Sequence, residues 1–67
     1  MGCWKVQHSA GDRPVEPWEH TAADSEEDAI ITAGRLHRTG FYVNAIIKPD
    51  RAIVHDRDAV IVLLGNL

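Results

Sequence analysis

The sequence predicts an α+β fold: a two-layer β-α-β-β-β domain, with one helix packed on a four-stranded, mostly antiparallel sheet. Three observations carry this. A single capped amphipathic segment spans residues 25–39. Segments of period-two alternation lie on both sides of it. The turns separating the later segments are too short for crossovers, so those strands form an antiparallel meander. With 67 residues, the chain makes one small domain.

Residues 3–9 form the first strand, with Trp4, Val6 and His8 alternating against Lys5, Gln7 and Ser9. Ala10-Gly11-Asp12 ends it. Residues 11–24 show no apolar period and carry Pro14 and Pro17, so they read as a long acidic loop. Long loops in compact domains are commonly functional or disordered. Trp18 sits inside this one, rimmed by Glu16 and Glu19, and is expected to pin it onto the core or onto a partner.

The helix over 25–39 has its own start and stop signals. The Ser25 hydroxyl is placed to cap the first free N–H groups. Glu26, Glu27 and Asp28 favour the positive end of the helix dipole, and Arg35, His37 and Arg38 the negative end. Gly40 can adopt the left-handed conformation that terminates a helix. The apolar stripe Ala29, Ile30, Ala33, Leu36 and His37 is narrow and built of small residues. It suits close approach to a sheet.

Residues 41–48 read as a strand, with Phe41, Val43, Ala45 and Ile47 on one face and Tyr42, Asn44, Ile46 and Lys48 on the other. Pro49-Asp50 marks a turn, 52–55 a short strand, and Asp56-Arg57-Asp58 a second tight turn. Residues 59–64, Ala-Val-Ile-Val-Leu-Leu, read as the last and most apolar strand. One helix covers one face of such a sheet. The other face is expected to expose some of Trp4, Tyr42, Ile46, Ile61 and Leu63, an apolar patch of the kind that marks an interaction site.

Composition narrows the function. Hydrophobic residues make up 45% and charged residues 25%, which excludes a chain disordered throughout. No apolar run is long enough to span a membrane. One cysteine cannot form an internal disulfide and fits a reducing, cytoplasmic setting. Residues 1–33 carry two cations and seven carboxylates, and residues 34–67 five cations and three carboxylates. The two halves could complement each other between copies.

Catalytic patterns are missing from the sequence. Cys3, His8, His20, His37 and His55 show no recognised metal-ligand spacing, although His8 and His55 could meet across the sheet. There is no Walker, G-x-S-x-G or G-x-G-x-x-G segment. The expectation is therefore no enzyme, no cofactor and no metal. It is a protein-binding module that self-associates as a homodimer, with a regulatory or inhibitory role. Its partner-binding residues are Trp18, Glu16, Glu19, Tyr42, Ile46, Ile61 and Leu63. The alternative is a nucleic-acid-associated regulator, with Trp4, Tyr42 and Arg57 on the sheet face and the basic second half. A formal net charge of -3 weighs against it.

Overall fold

Why the four strands hold together is best seen from the middle outward. In the computed structural model, which describes residues 3–14 and 16–65, β1 (Trp4–His8) lies between β2 (Glu19–Ala23) and β3 (Val43–Ile47). A short β4 (Ile53–His55) adds to the far side of β3. The strand order is β2-β1-β3-β4, and every neighbouring pair is antiparallel. Helices α1 (Glu26–Thr39) and α2 (Arg57–Gly65) complete the domain. The α+β class and the four-stranded antiparallel sheet stand as expected. The element order does not: it is β-β-α-β-β-α.

The first correction concerns residues 11–24. Their second half is β2, an edge strand paired with β1 from Trp4↔Ala23 to His8↔Glu19. Of its residues only Ala23 is buried. An edge strand with a mostly wet side needs little apolar pattern, because the backbone ladder to β1 supplies the pairing. Both β2 and β3 run antiparallel to β1, so they are parallel to each other. Helix α1 carries the chain from one to the other over β1, a split β-α-β unit.

The second correction is α2, expected as a strand over 59–64. Asp56-Arg57-Asp58 is a helix start rather than a turn: the Asp56 carboxylate accepts from the Ala59 N–H at 3.0 Å. Its carbonyl accepts from the Val60 N–H at 2.9 Å. Val60 enters the core, and Leu63 and Leu64 pack against it, the i, i+3, i+4 spacing of one helix face. A short apolar run satisfies either period, so β-branched content alone cannot choose.

Helix α1 forms as its signals require. Ser25, extended at φ -151°, accepts from the Asp28 N–H at 3.2 Å. At the other end Gly40 takes φ 105°. Its N–H donates to the His37 carbonyl at 3.1 Å, and the Phe41 N–H donates to the Leu36 carbonyl at 2.9 Å, the paired bonds of a Schellman stop. Ala29, Ala33 and Gly34 are its buried residues, so the backbone comes close to the sheet. His37, expected in this stripe, is exposed, and Gly34 takes its place.

Val6, Ala23, Ala29, Ala33, Val43, Ile46 and Val60 form the core. Ile46 is fully buried, which corrects its expected place on an open face. The cause is a β-bulge. Val6 pairs with Ile46 and His8 with Val43, so two steps along β1 face three steps along β3. Val43 and Ile46 therefore both face the helices, although strict alternation would separate them. Trp4, opposite Ala23, also lies on the covered side and packs on the core.

The β3–β4 turn is closed by Arg51 N–H to the Lys48 carbonyl and Lys48 N–H to the Ala52 carbonyl, both 2.9 Å. Arg51 takes φ 73°, the left-handed position that glycine occupies most easily. An L-residue held there costs about 1–2 kcal/mol.

Replacing Asp56 with Ala should lower stability by about 1 kcal/mol, and Asp56→Asn should restore most of it. Urea titration reads both. Equal midpoints for wild type and Asp56→Ala would remove Asp56 as the cap of α2.

Candidate functional site

The pairing register assigns each strand residue to a face. On β1, Lys5 and Gln7 point away from the helices. Ala22 and His20 of β2 lie opposite them, and Ile47 of β3 pairs with Lys5. Ile53 of β4 pairs with Ile47 and is 61% exposed. No helix covers this side among the described residues.

A row of polar side chains crosses its middle. The bulge at residue 44 brings the Asn44 amide onto Gln7, donating to Oε1 at 2.7 Å. The Gln7 amide in turn stands 3.3 Å from Nε2 of His20. Gln7 has only N–H groups left at that nitrogen, so His20 accepts at Nε2 and carries its hydrogen on Nδ1. The row spans three strands and keeps spare capacity: a second N–H on each amide, the Asn44 carbonyl oxygen and the His20 Nδ1–H.

An aromatic cluster closes one end. Trp18 stacks on Tyr42, with ring centroids 6.1 Å apart and planes at 24°. The Arg57 guanidinium lies 4.1 Å from the Tyr42 ring centroid, a cation–π distance. The same guanidinium donates to the Val43 carbonyl. The chain before Trp18 is tied down as well. Ser9 N–H donates to the Tyr42 carbonyl at 2.9 Å, and Tyr42 N–H to the Gly11 carbonyl at 2.8 Å. Trp18 thus pins its loop to the end of the sheet and stays half-buried rather than entering the core. Val15, between Pro14 and Pro17, lies outside the described residues.

At the opposite end, Lys5, His20, Ile47 and Arg51 line a shallow depression of about 360 Å³. Sequence reasoning did not single out Lys5, Gln7, Asn44 or Arg51. Their grouping depends on β2 being a strand and on the bulge, neither of which leaves a local signal.

The residues expected to form one partner surface fall in three places. Trp18 and Tyr42 are together at the sheet end, with Glu16 exposed in the adjoining loop. Glu19 is exposed and pairs with His8 at the start of β2. Ile46 is in the core, whereas Ile61 and Leu63 belong to α2 in the helix layer. Ile61 is 50% exposed and Val62 63%, while Leu63 packs inward.

His8 and His55 do not meet. His55 pairs with Ile46, whose other neighbour is Val6. His8 is buried, with Nδ1 donating to the Ser9 carbonyl and Nε2 accepting from the Thr21 hydroxyl, both at 2.9 Å. Its ring also meets Phe41 edge-on at 5.6 Å. Both nitrogens are therefore engaged in structure. His55 Nε2 lies 3.4 Å from a Glu26 carboxylate oxygen without hydrogen-bond alignment. Among the described residues no three His, Cys, Asp or Glu side chains group to hold a metal, and no helix is long and apolar enough to cross a membrane.

Removing the Thr21 hydroxyl with Thr21→Val should cost about 1–3 kcal/mol, since His8 Nε2 is left buried without a partner. Thr21→Ser should be close to wild type; equal losses for both would point to packing instead. Trp18→Ala should cost about 1 kcal/mol, the scale of one aromatic pair. A loss nearer 4 kcal/mol would place the ring in the core. Thermal and urea unfolding read all three variants.

No known protein family, no curated protein and no solved structure matches this chain.

Proposed function

We propose that this chain is a small protein-binding module that acts by association rather than catalysis, and that its first partner is a second copy of itself. A regulatory or inhibitory role fits such a module, and the lone thiol Cys3 suits a reducing compartment such as the cytoplasm. The observation that carries this reading is α2. One side of the helix is in the core through Val60. The other side presents Ile61 and Val62, 50% and 63% exposed. A helix apolar all round is ordinarily buried all round.

A second copy is the partner that this surface suits. No charged residue lies between Ala59 and Gly65, so two α2 helices can meet without placing like charges together. Beside Ile61, the helix leaves a depression of about 310 Å³ lined also by His37, Arg57 and Leu64. A two-fold contact uses each residue twice. Only two half-exposed side chains per copy take part, so the dimer is weak and depends on concentration.

Light scattering on a sizing column, across a dilution series, tests this. Wild type should rise from 7.4 kDa toward twice that mass as concentration increases. Val62→Glu should hold the monomer mass while melting as wild type does, because the side chain is exposed. A wild type that stays monomeric at ~1 mM, well above the micromolar range of ordinary complexes, overturns self-association. A dimer indifferent to Val62→Glu moves the interface away from α2.

A further inference from the structure

The open sheet face differs from α2 in chemistry. Its cations are Lys5 on β1 and Arg51 in the β3–β4 turn, and these line one depression with His20 of β2 and Ile47 of β3. No carboxylate lines it. The protein is acidic overall; Asp12 and Glu16 lie by the Tyr42 and Trp18 end, and none of its acids enters the Lys5–Arg51 depression. Glu26, Glu27 and Asp28 form the first turn of α1, and Asp58 lies in the first turn of α2. Asp56 caps α2. Glu19 follows the covered register of His8. Asp50 is the nearest acid in sequence, and its carboxylate holds the Ala52 N–H at 2.9 Å.

Arg51 adds an independent observation. It occupies a left-handed position, φ 73°, that glycine would fill without strain. Residues held in sparsely populated backbone conformations cluster at functional sites. Moving along the strands from Lys5 and Arg51, the face presents first cations and then the Asn44–Gln7–His20 row with unused donors and acceptors; the stacked Trp18 and Tyr42, with Arg57 against the Tyr42 ring, close the end of the sheet beyond it. A strand of five residues covers about 17 Å.

We propose that this face binds a short single strand of nucleic acid. Lys5 and Arg51 hold phosphate, the amide row meets base edges, and a base extends the Trp18–Tyr42 stack. Single strands are recognised by this combination: charge along the backbone, aromatic rings under bases, and polar side chains on their edges. An acidic peptide would use the cations but not the rings. The proposal does not depend on dimerisation through α2, which belongs to the helix layer.

The test is fluorescence anisotropy with a labelled oligo(dT) of about ten nucleotides, within the usual site size of such sheets. An oligoglutamate peptide serves as the competing polyanion. Wild type should bind at about 50 mM salt and weaken as salt rises. The double variant Lys5→Gln, Arg51→Gln should lose at least tenfold in affinity, and its log–log salt slope should be shallower by about 1.4, two phosphates' worth on a single strand. Trp18→Ala should lose about tenfold through stacking. Arg51→Gly separates fold from function: its melting temperature should equal or exceed wild type while affinity falls. Val62→Glu should bind as wild type does. The proposal is overturned by no binding up to ~100 µM, a non-specific affinity range, at low salt. It is overturned equally by binding that ignores Lys5 and Arg51, or by oligoglutamate displacing the oligonucleotide at equal charge.

Discussion

The pairing of β1 with β3, and the bulge within it, governs both sides of this protein. Between Val6↔Ile46 and His8↔Val43, β3 carries one residue more than β1. On the covered side, this lets Val43 and Ile46 both enter the core beside Val6. On the open side, it turns Asn44 toward Gln7 at hydrogen-bond distance. Without the extra residue, one of the two large β3 side chains would leave the core, because side chains alternate strictly along an unbroken strand. Core and polar row are two results of one irregularity.

A chain of 67 residues has little core to spare. Its helices solve this in different ways. Helix α1 is capped at both ends and lays Ala29, Ala33 and Gly34 close to the sheet, so backbone approach compensates for small side chains. Helix α2 brings Val60, Leu63 and Leu64 to the same core over β3. It is so apolar that filling the core does not use all its side chains, and Ile61 and Val62 remain outside. Core packing and an exposed apolar surface thus come from the same nine residues.

The two outer surfaces are chemically sorted. Acidic groups gather at the helix starts, where the dipole and the caps favour them. Cations on the sheet side are left with no acid in their depression. Trp18, held against Tyr42, and the backbone bonds of Ser9 and Tyr42 fix the loop at the sheet's end instead of across it. That leaves the amide row accessible.

Local chemistry made part of this legible. Ser25, the acidic first turn and Gly40 act through neighbours three to five residues away, so the sequence alone determined α1 and its limits. Strands β1 and β3 were legible within two residues at each end, because their alternation is strong. The turn at Pro49-Asp50 was legible for the same local reason. Tertiary structure decided the rest. Glu19–Ala23 becomes a strand because β1 offers it a ladder, and residues 57–65 become a helix because the core accepts Val60, Leu63 and Leu64 together. Both segments are locally ambivalent: one lacks an apolar period, and the other fits two. The bulge at Asn44 belongs with them, since a single inserted step is set by what packs on either side of the sheet and leaves no mark along the chain.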